Sequence, residues 1–122
     1  MQLVELKQLS TTTKGQCLRL RGGKISLLEF TPEECNIRVE YSGNNYTGFI
    51  LVQTGFFLAY SYENLELFDI HFSKSLKRIK AVSSINGGSY DAKGDKALLM
   101  HVDSYSELNL SSFVLKQRAF PF

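Results

Sequence analysis

Histidines that could bind a metal or relay a proton are scarce in this 122-residue chain: only His71 and His101 are present, far apart. A cupin-type metal site takes several His and a Glu, with two of the His close in sequence. No His-x-His occurs, and a lone strand histidine is ordinarily a polar-face residue. Serine hydrolysis needs a nucleophile on a sharp turn. The nearest match to Gly-x-Ser-x-Gly, Gly87-Gly88-Ser89-Tyr90-Asp91, fails at its last position. "GSYDAKGDK" has the look of a phosphate cradle. However, Gly88 and Gly94 are six apart rather than five, Asp95 follows Gly94, and no Ser or Thr follows Lys96. A carboxylate in the cradle repels phosphate. Asp91 and Asp95 lack the dense oxygen spacing of a calcium loop, so a polar hairpin loop is expected there. Cys17 and Cys35 are too few for a disulfide framework or an all-thiolate zinc site. Two unbridged thiols are expected, with a single bridge as the alternative. These absences argue for a chain that is not an enzyme and has no cofactor, no metal and no small-molecule substrate.

Charge is concentrated in two places. "SKSLKRIK" puts Lys74, Lys77, Arg78 and Lys80 within seven residues, and Arg19, Arg21 and Lys24 cluster around Gly22-Gly23. Together they could build a patch for nucleic acid or anionic lipid. Charge runs are more often simply solvated, and a net charge of +2 is too small to imply nucleic acid. Neither partner is favoured. Asn45-Tyr46-Thr47 and Asn109-Leu110-Ser111 match the glycosylation pattern, which means little without a secretory leader.

The elements that hold these residues read as strands. Aromatics are 12% of the chain, nine Phe and six Tyr with no Trp, and many lie in β-like runs. Residues 16–21 and 24–30 suit a hairpin on Gly22-Gly23. Its register pairs Leu20 with Ile25 and Leu18 with Leu27 on one face, and Arg19 with Ser26 and Cys17 with Leu28 on the other. Arg21 then faces Lys24, a like-charge pair that costs stability. "NIRVEYS" alternates, with Ile37, Val39 and Tyr41 inward. "FILVQTGFFLAYSY" reads as a second hairpin, apolar on both faces. Such a hairpin is either a central pair or a surface covered by a partner. A change of face after Leu67 hints at a bulge. "NGGSYDAKGDK" reads as the longest loop, "DSYSE" as a turn, and "LNLSSFVLKQRAF" as one or two final strands.

With turn signals every 8–12 residues, this is the pattern of a sandwich or barrel. The expected fold is a single all-β domain over 1–122, an antiparallel β-sandwich of about eight strands. Residues 1–14 would be an N-terminal arm or edge strand, and 116–122 a C-terminal arm. Hydrophobic residues at 43% and charged residues at 21% are ordinary for a globular protein. The start lacks the apolar core of a secretory signal, and no run approaches the ~20 apolar residues of a membrane span.

From Gly15 onward there is a strand ending in Gly-Gly, a strand of "IRVEY" type, "YTGF", the aromatic-rich "FFLAYSYENLELFD", "INGGSYDAKG" and a final strand pair. In size and strand order this resembles the small jelly-roll virion proteins of tailless icosahedral bacteriophages, of the penton, spike-base or minor capsid type. The likeness spans roughly residues 15–100. It implies a jelly-roll subunit of the virion, made in the host cytoplasm, that assembles symmetrically with copies of itself and with other capsid proteins. It transfers no catalytic residues. The candidate interface is Arg19, Arg21 and Lys24 at the hairpin tip, Phe56 and Phe57 of the two-sided hairpin, and Phe120 and Phe122 of the terminal "AFPF". The alternative is a ligand- or carbohydrate-binding module presenting Tyr41, Tyr46, Tyr60, Tyr62, Tyr90 and Tyr105.

Overall fold

A computed structural model describes residues 4–8, 15–43, 45–53 and 55–121, with side chains described from Gly15 onward. Twelve strands and no helix occur among them. They are β1 (Val4–Gln8), β2 (Gly15–Arg21), β3 (Lys24–Phe30), β4 (Cys35–Glu40), β5 (Gly48–Leu51), β6 (Phe56–Ser61), β7 (Asn64–Asp69), β8 (Lys77–Lys80), β9 (Gly87–Asp91), β10 (Lys96–Met100), β11 (Ser104–Asn109) and β12 (Val114–Ala119). The strands form three four-stranded antiparallel sheets, β1-β2-β3-β4, β5-β6-β7-β8 and β9-β10-β11-β12.

The all-β expectation holds. The arrangement differs from the two-sheet jelly roll of about eight strands. A jelly roll is built from two Greek keys, whereas every hydrogen-bonded neighbour here is the next strand in the chain. Consecutive four-stranded meanders packed face to face are the blade units of β-propellers.

The Gly-Gly hairpin takes the expected register, from Gly15↔Phe30 to Arg21↔Lys24. Gly22 and Gly23 have φ of 59° and 77°, the two positive values of a type I′ turn. The Arg21/Lys24 repulsion is relieved from the next strand, because Lys24 Nζ lies 3.4 Å from Glu40 on β4. The turn is also a joint between the first two sheets. The Gly23 carbonyl accepts from Tyr46 N–H at 2.9 Å, and a Cβ on Gly23 would sit 2.8 Å from the Asn45 backbone. Gly23→Ala should therefore cost about 1–2 kcal/mol in backbone strain alone, and more from displacing residue 45. Gly22→Asn, which suits a left-handed turn position, should be nearly neutral. Urea midpoints of the two variants provide the check.

The two-sided apolar hairpin belongs to the middle sheet. Phe49, Phe57, Ala59, Phe68 and Ile70 face the first sheet, against Leu18, Leu20, Ile25 and Leu27. Ile50, Leu58, Tyr60, Leu65 and Leu67 face the third sheet, against Ala97, Leu99 and Leu108. Both faces are thus covered within the chain. The change of face at Leu67–Phe68 is not a bulge, since β6 and β7 pair without a break from Phe56↔Asp69 to Ser61↔Asn64. Leu67 and Phe68 simply point into different cores.

The register irregularity is in the first sheet. Leu27 pairs with Val39 and Leu28 with Ile37, so Arg38 is the extra residue. Ile37 is consequently turned outward and 51% exposed, against the expectation that it points inward. Half of the "NGGSYDAKGDK" loop is β9, and the "DSYSE" turn opens β11. Residues 116–119 are not an arm, because β12 is bonded to β11 from Ser104↔Ala119 to Asn109↔Val114. At the other end, β1 pairs with β2 as an edge strand. Cys17 and Cys35 are not joined in a disulfide.

Candidate functional site

His101 and Ser106 form a close pair at the third sheet, 2.7 Å from Nε2 to Oγ. The other ring nitrogen, Nδ1, lies 3.0 Å from the Ser84 carbonyl. A carbonyl can only accept, so Nδ1 carries the proton and Nε2 accepts from the serine hydroxyl. The tautomer is that of a base beside a nucleophile, but a backbone carbonyl stands where an orienting carboxylate would be. His101 is 4% exposed and Ser106 fully buried, so the pair offers no approach to a substrate. Its chemistry is structural, tying the β8–β9 connection to β11.

Asp95, at the β9–β10 turn with φ of 51°, is a second polar centre. It accepts from Gln53 Nε2 at 2.7 and 2.8 Å, from the Tyr90 hydroxyl at 2.8 Å and from Ser111 at 3.2 Å. These donors occupy the oxygens that a cation would need. Asp91 accepts from Lys93 N–H. Among the described residues no group of three or more His, Cys, Asp or Glu could hold a metal. The Tyr90 hydrogen bond, followed by that of Gln53, holds the Asp95 carboxyl below its usual range against a smaller opposing effect of burial. A depressed folded value means stability that is present above the unfolded Asp value of about 3.9 and lost as pH falls through the folded one. Asp95→Asn should therefore melt below the wild type at neutral pH, and the two should converge in strong acid. Melting temperatures across an acid series check this.

The basic run lies along an open edge. β8 is the last strand of the middle sheet, and Lys77, Arg78 and Lys80 are exposed on it. Charges on an edge strand discourage pairing with another chain, which accounts for part of the run. Arg78 is held by Glu66 at 2.9 Å and by Ser75 at 3.2 Å. Glu66 in turn accepts from the Tyr46 hydroxyl. Burial, reinforced by Glu66, pushes the Tyr46 hydroxyl up, so Tyr46 stays a donor and is no base. Lys74, Lys77 and Lys80 make no ion pair among the described residues, although Lys77 Nζ sits 5.4 Å from the Phe113 ring centre.

The outward face of the third sheet is open. Cross-strand register places Leu98, Met100, Tyr105, Glu107, Val114 and Arg118 together on it. Met100 and Val114 are 41% and 51% exposed. Phe120 stacks on Tyr105 with ring centres 5.8 Å apart. A shallow groove of about 410 Å³ crosses it, lined by Lys96, Glu107, Asn109, Val114, Lys116 and Arg118.

The candidate interface residues do not form one surface. Phe57 is fully buried between the first and second sheets and has nothing to offer a partner. Phe56 is half-buried against the core between the middle and third sheets. Arg19 is half-buried on the first sheet, with its Nε buried and unpartnered. Arg21 and Lys24 are exposed at the hairpin tip. Phe120 lies on the third sheet's open face, and Phe122 lies outside the described residues. The roles of Glu66, Asp95 and the His101–Ser106 pair were not anticipated. Only His101 carried a signal, since Ala97, Leu99 and His101 share one side of an alternating run.

No family model matches the chain, and no curated protein matches it. Solved structures do. Hsv2 from Kluyvelomyces marxianus, a β-propeller, superposes with a TM-score of 0.61 at 11% identity, over 86% of this chain and 36% of that one. The hemopexin fold protein CP4 from cow pea superposes with a TM-score of 0.52 at 13% identity, over 92% of this chain and 66% of that one. The likeness is one of fold. The chain spans less than two thirds of either neighbour, and neither is a phage capsid protein.

Proposed function

We propose that this chain is a non-enzymatic interaction scaffold that works by assembly, through the outward face of its third sheet, with a second copy of itself. The observation that carries this reading is the composition of that face. Leu98, Met100, Tyr105 and Phe120 give it an apolar half. Its charged half holds both signs, with Glu107 within 3.9 Å of Lys96 and 3.8 Å of Arg118. A surface of mixed sign can pair with itself about a two-fold axis, the commonest symmetry of soluble oligomers. The middle sheet supplies the template, because both of its faces are covered by other four-stranded sheets.

The capsid role implied by the phage resemblance is kept only in its general part, assembly from like subunits. The carbohydrate reading draws no support from the tyrosines, since Tyr41, Tyr46 and Tyr60 are core residues. Light scattering on the 122-residue chain should give the mass of a dimer at micromolar concentration. Met100→Glu with Val114→Glu places like charges across the two-fold contact and should weaken association at least about tenfold, at an unchanged fold. A wild type that stays monomeric sinks the proposal.

A further inference from the structure

We propose that the loop between β7 and β8, with the first residues of β8, docks on an anionic lipid membrane. Phe72 and Leu76 are 61% and 53% exposed in this loop. Lys74 stands between them in sequence, and Lys77 and Arg78 follow. Lys74, Lys77 and Arg78 line an open cleft of about 540 Å³ together with Ser42, Ser75 and Leu76. The acidic groups nearby are already engaged: Glu66 binds Arg78, and Asp69 accepts from His71 N–H at 2.9 Å.

Edge protection accounts for the charges on β8 but not for Lys74, which precedes the strand. It accounts still less for a phenylalanine and a leucine held in water four positions apart. A free phosphate would use the cations and leave both apolar side chains wet. A nucleic acid could stack on Phe72 but has no use for Leu76. An anionic bilayer surface uses all of them, because cations meet the headgroups while apolar side chains enter the acyl boundary. This surface shares no residue with the open face of the third sheet, although Lys77 reaches the Phe113 ring beside it.

The test is sedimentation of the full chain with vesicles of phosphatidylcholine, with and without phosphatidylserine. Binding is expected only to the anionic vesicles, weakening as salt rises. Lys74→Glu with Lys77→Glu should weaken it at least about thirtyfold, since each basic residue near such a surface contributes roughly fivefold. Phe72→Ser with Leu76→Ser leaves the charge unchanged and should also weaken it, by about tenfold or more. Because the chain has no Trp, Phe72→Trp gives a single reporter whose emission should shift to the blue on anionic vesicles. The proposal is overturned by an absence of binding to anionic vesicles, or by binding indifferent to Phe72 and Leu76. Retention of tripolyphosphate or of a DNA oligomer without vesicle recruitment would also overturn it, and would assign the cleft to that ligand instead.

Discussion

Phe57→Ala is expected to cost about 3–5 kcal/mol of folding stability. Phe57 is fully buried. Its ring stacks on Phe68 at 5.1 Å and 9° and meets Tyr41 edge-on at 4.7 Å. Phe49 closes a further side at 6.2 Å. Removing the ring forfeits its transfer from water and leaves a cavity whose walls come from different sheets and cannot readily collapse together. Aromatic pairs of this geometry add about 0.5–1.5 kcal/mol beyond buried area. Against a typical margin of 5–15 kcal/mol, the variant should have a much lower urea midpoint at a similar slope. The same experiment separates two roles for the two-sided hairpin. Were Phe57 a contact for a partner, the alanine would weaken association and leave the midpoint of the isolated chain in place. Phe56→Ala, at a half-buried position, should move the midpoint far less.

Why the hairpin was legible and the sheet arrangement was not can be argued from the same residues. Gly22-Gly23 admits the two positive φ values of a tight turn. With that turn set, alternation of Leu18, Leu20, Ile25 and Leu27 leaves one register, because a slip of one residue would put all four in water. The middle sheet offers no such discrimination. "FILVQTGFFLAYSY" is apolar on both sides, and a sheet between two sheets of its own chain has the same composition as one covered by a partner. β9 escaped notice because Gly87, Gly88 and Ser89 have low strand propensity. The need for small residues there is tertiary, since a Cβ on Gly88 would meet the Leu98 carbonyl at 2.6 Å. The extra residue at Arg38 has no local signature either. Arg38 is held by Glu29 at 2.8 Å, a partner nine positions away that alternation alone would set on the opposite face. The candidate surfaces were half visible. The cations of "SKSLKRIK" are plain in the sequence, but the exposure of Phe72 and Leu76 beside them is not, because apolar residues in a strand-like run are read as core. Phe120 was named for its place in "AFPF", whereas its role comes from the Tyr105 ring beneath it.

His101→Ala should also be strongly damaging, at about 3 kcal/mol or more. Two hydrogen bonds end on this ring, the one to Ser106 buried and the one to Ser84 part-buried, and a buried group left without a partner costs about 1–3 kcal/mol. The fully buried Ser106 hydroxyl would have no acceptor, and the volume of the imidazole would be left open. Ser106→Ala strands only Nε2 and should cost less. The double variant should cost less than the sum of the two, with a coupling of about 0.5–3 kcal/mol, because the second deletion removes a group that the first left unsatisfied. The site of the loss is specific as well. The ring reaches across to Ser84, in the connection where Ile85 N–H donates to the Tyr62 carbonyl and Asn86 N–H to the Met100 carbonyl, both at 2.7 Å. These two bonds join that connection to the second and third sheets. Without the imidazole to anchor Ser84, amide exchange at Ile85 and Asn86 should quicken before global unfolding does. If those amides keep their protection while the melting temperature falls, the pair only fills the core and does not anchor the connection.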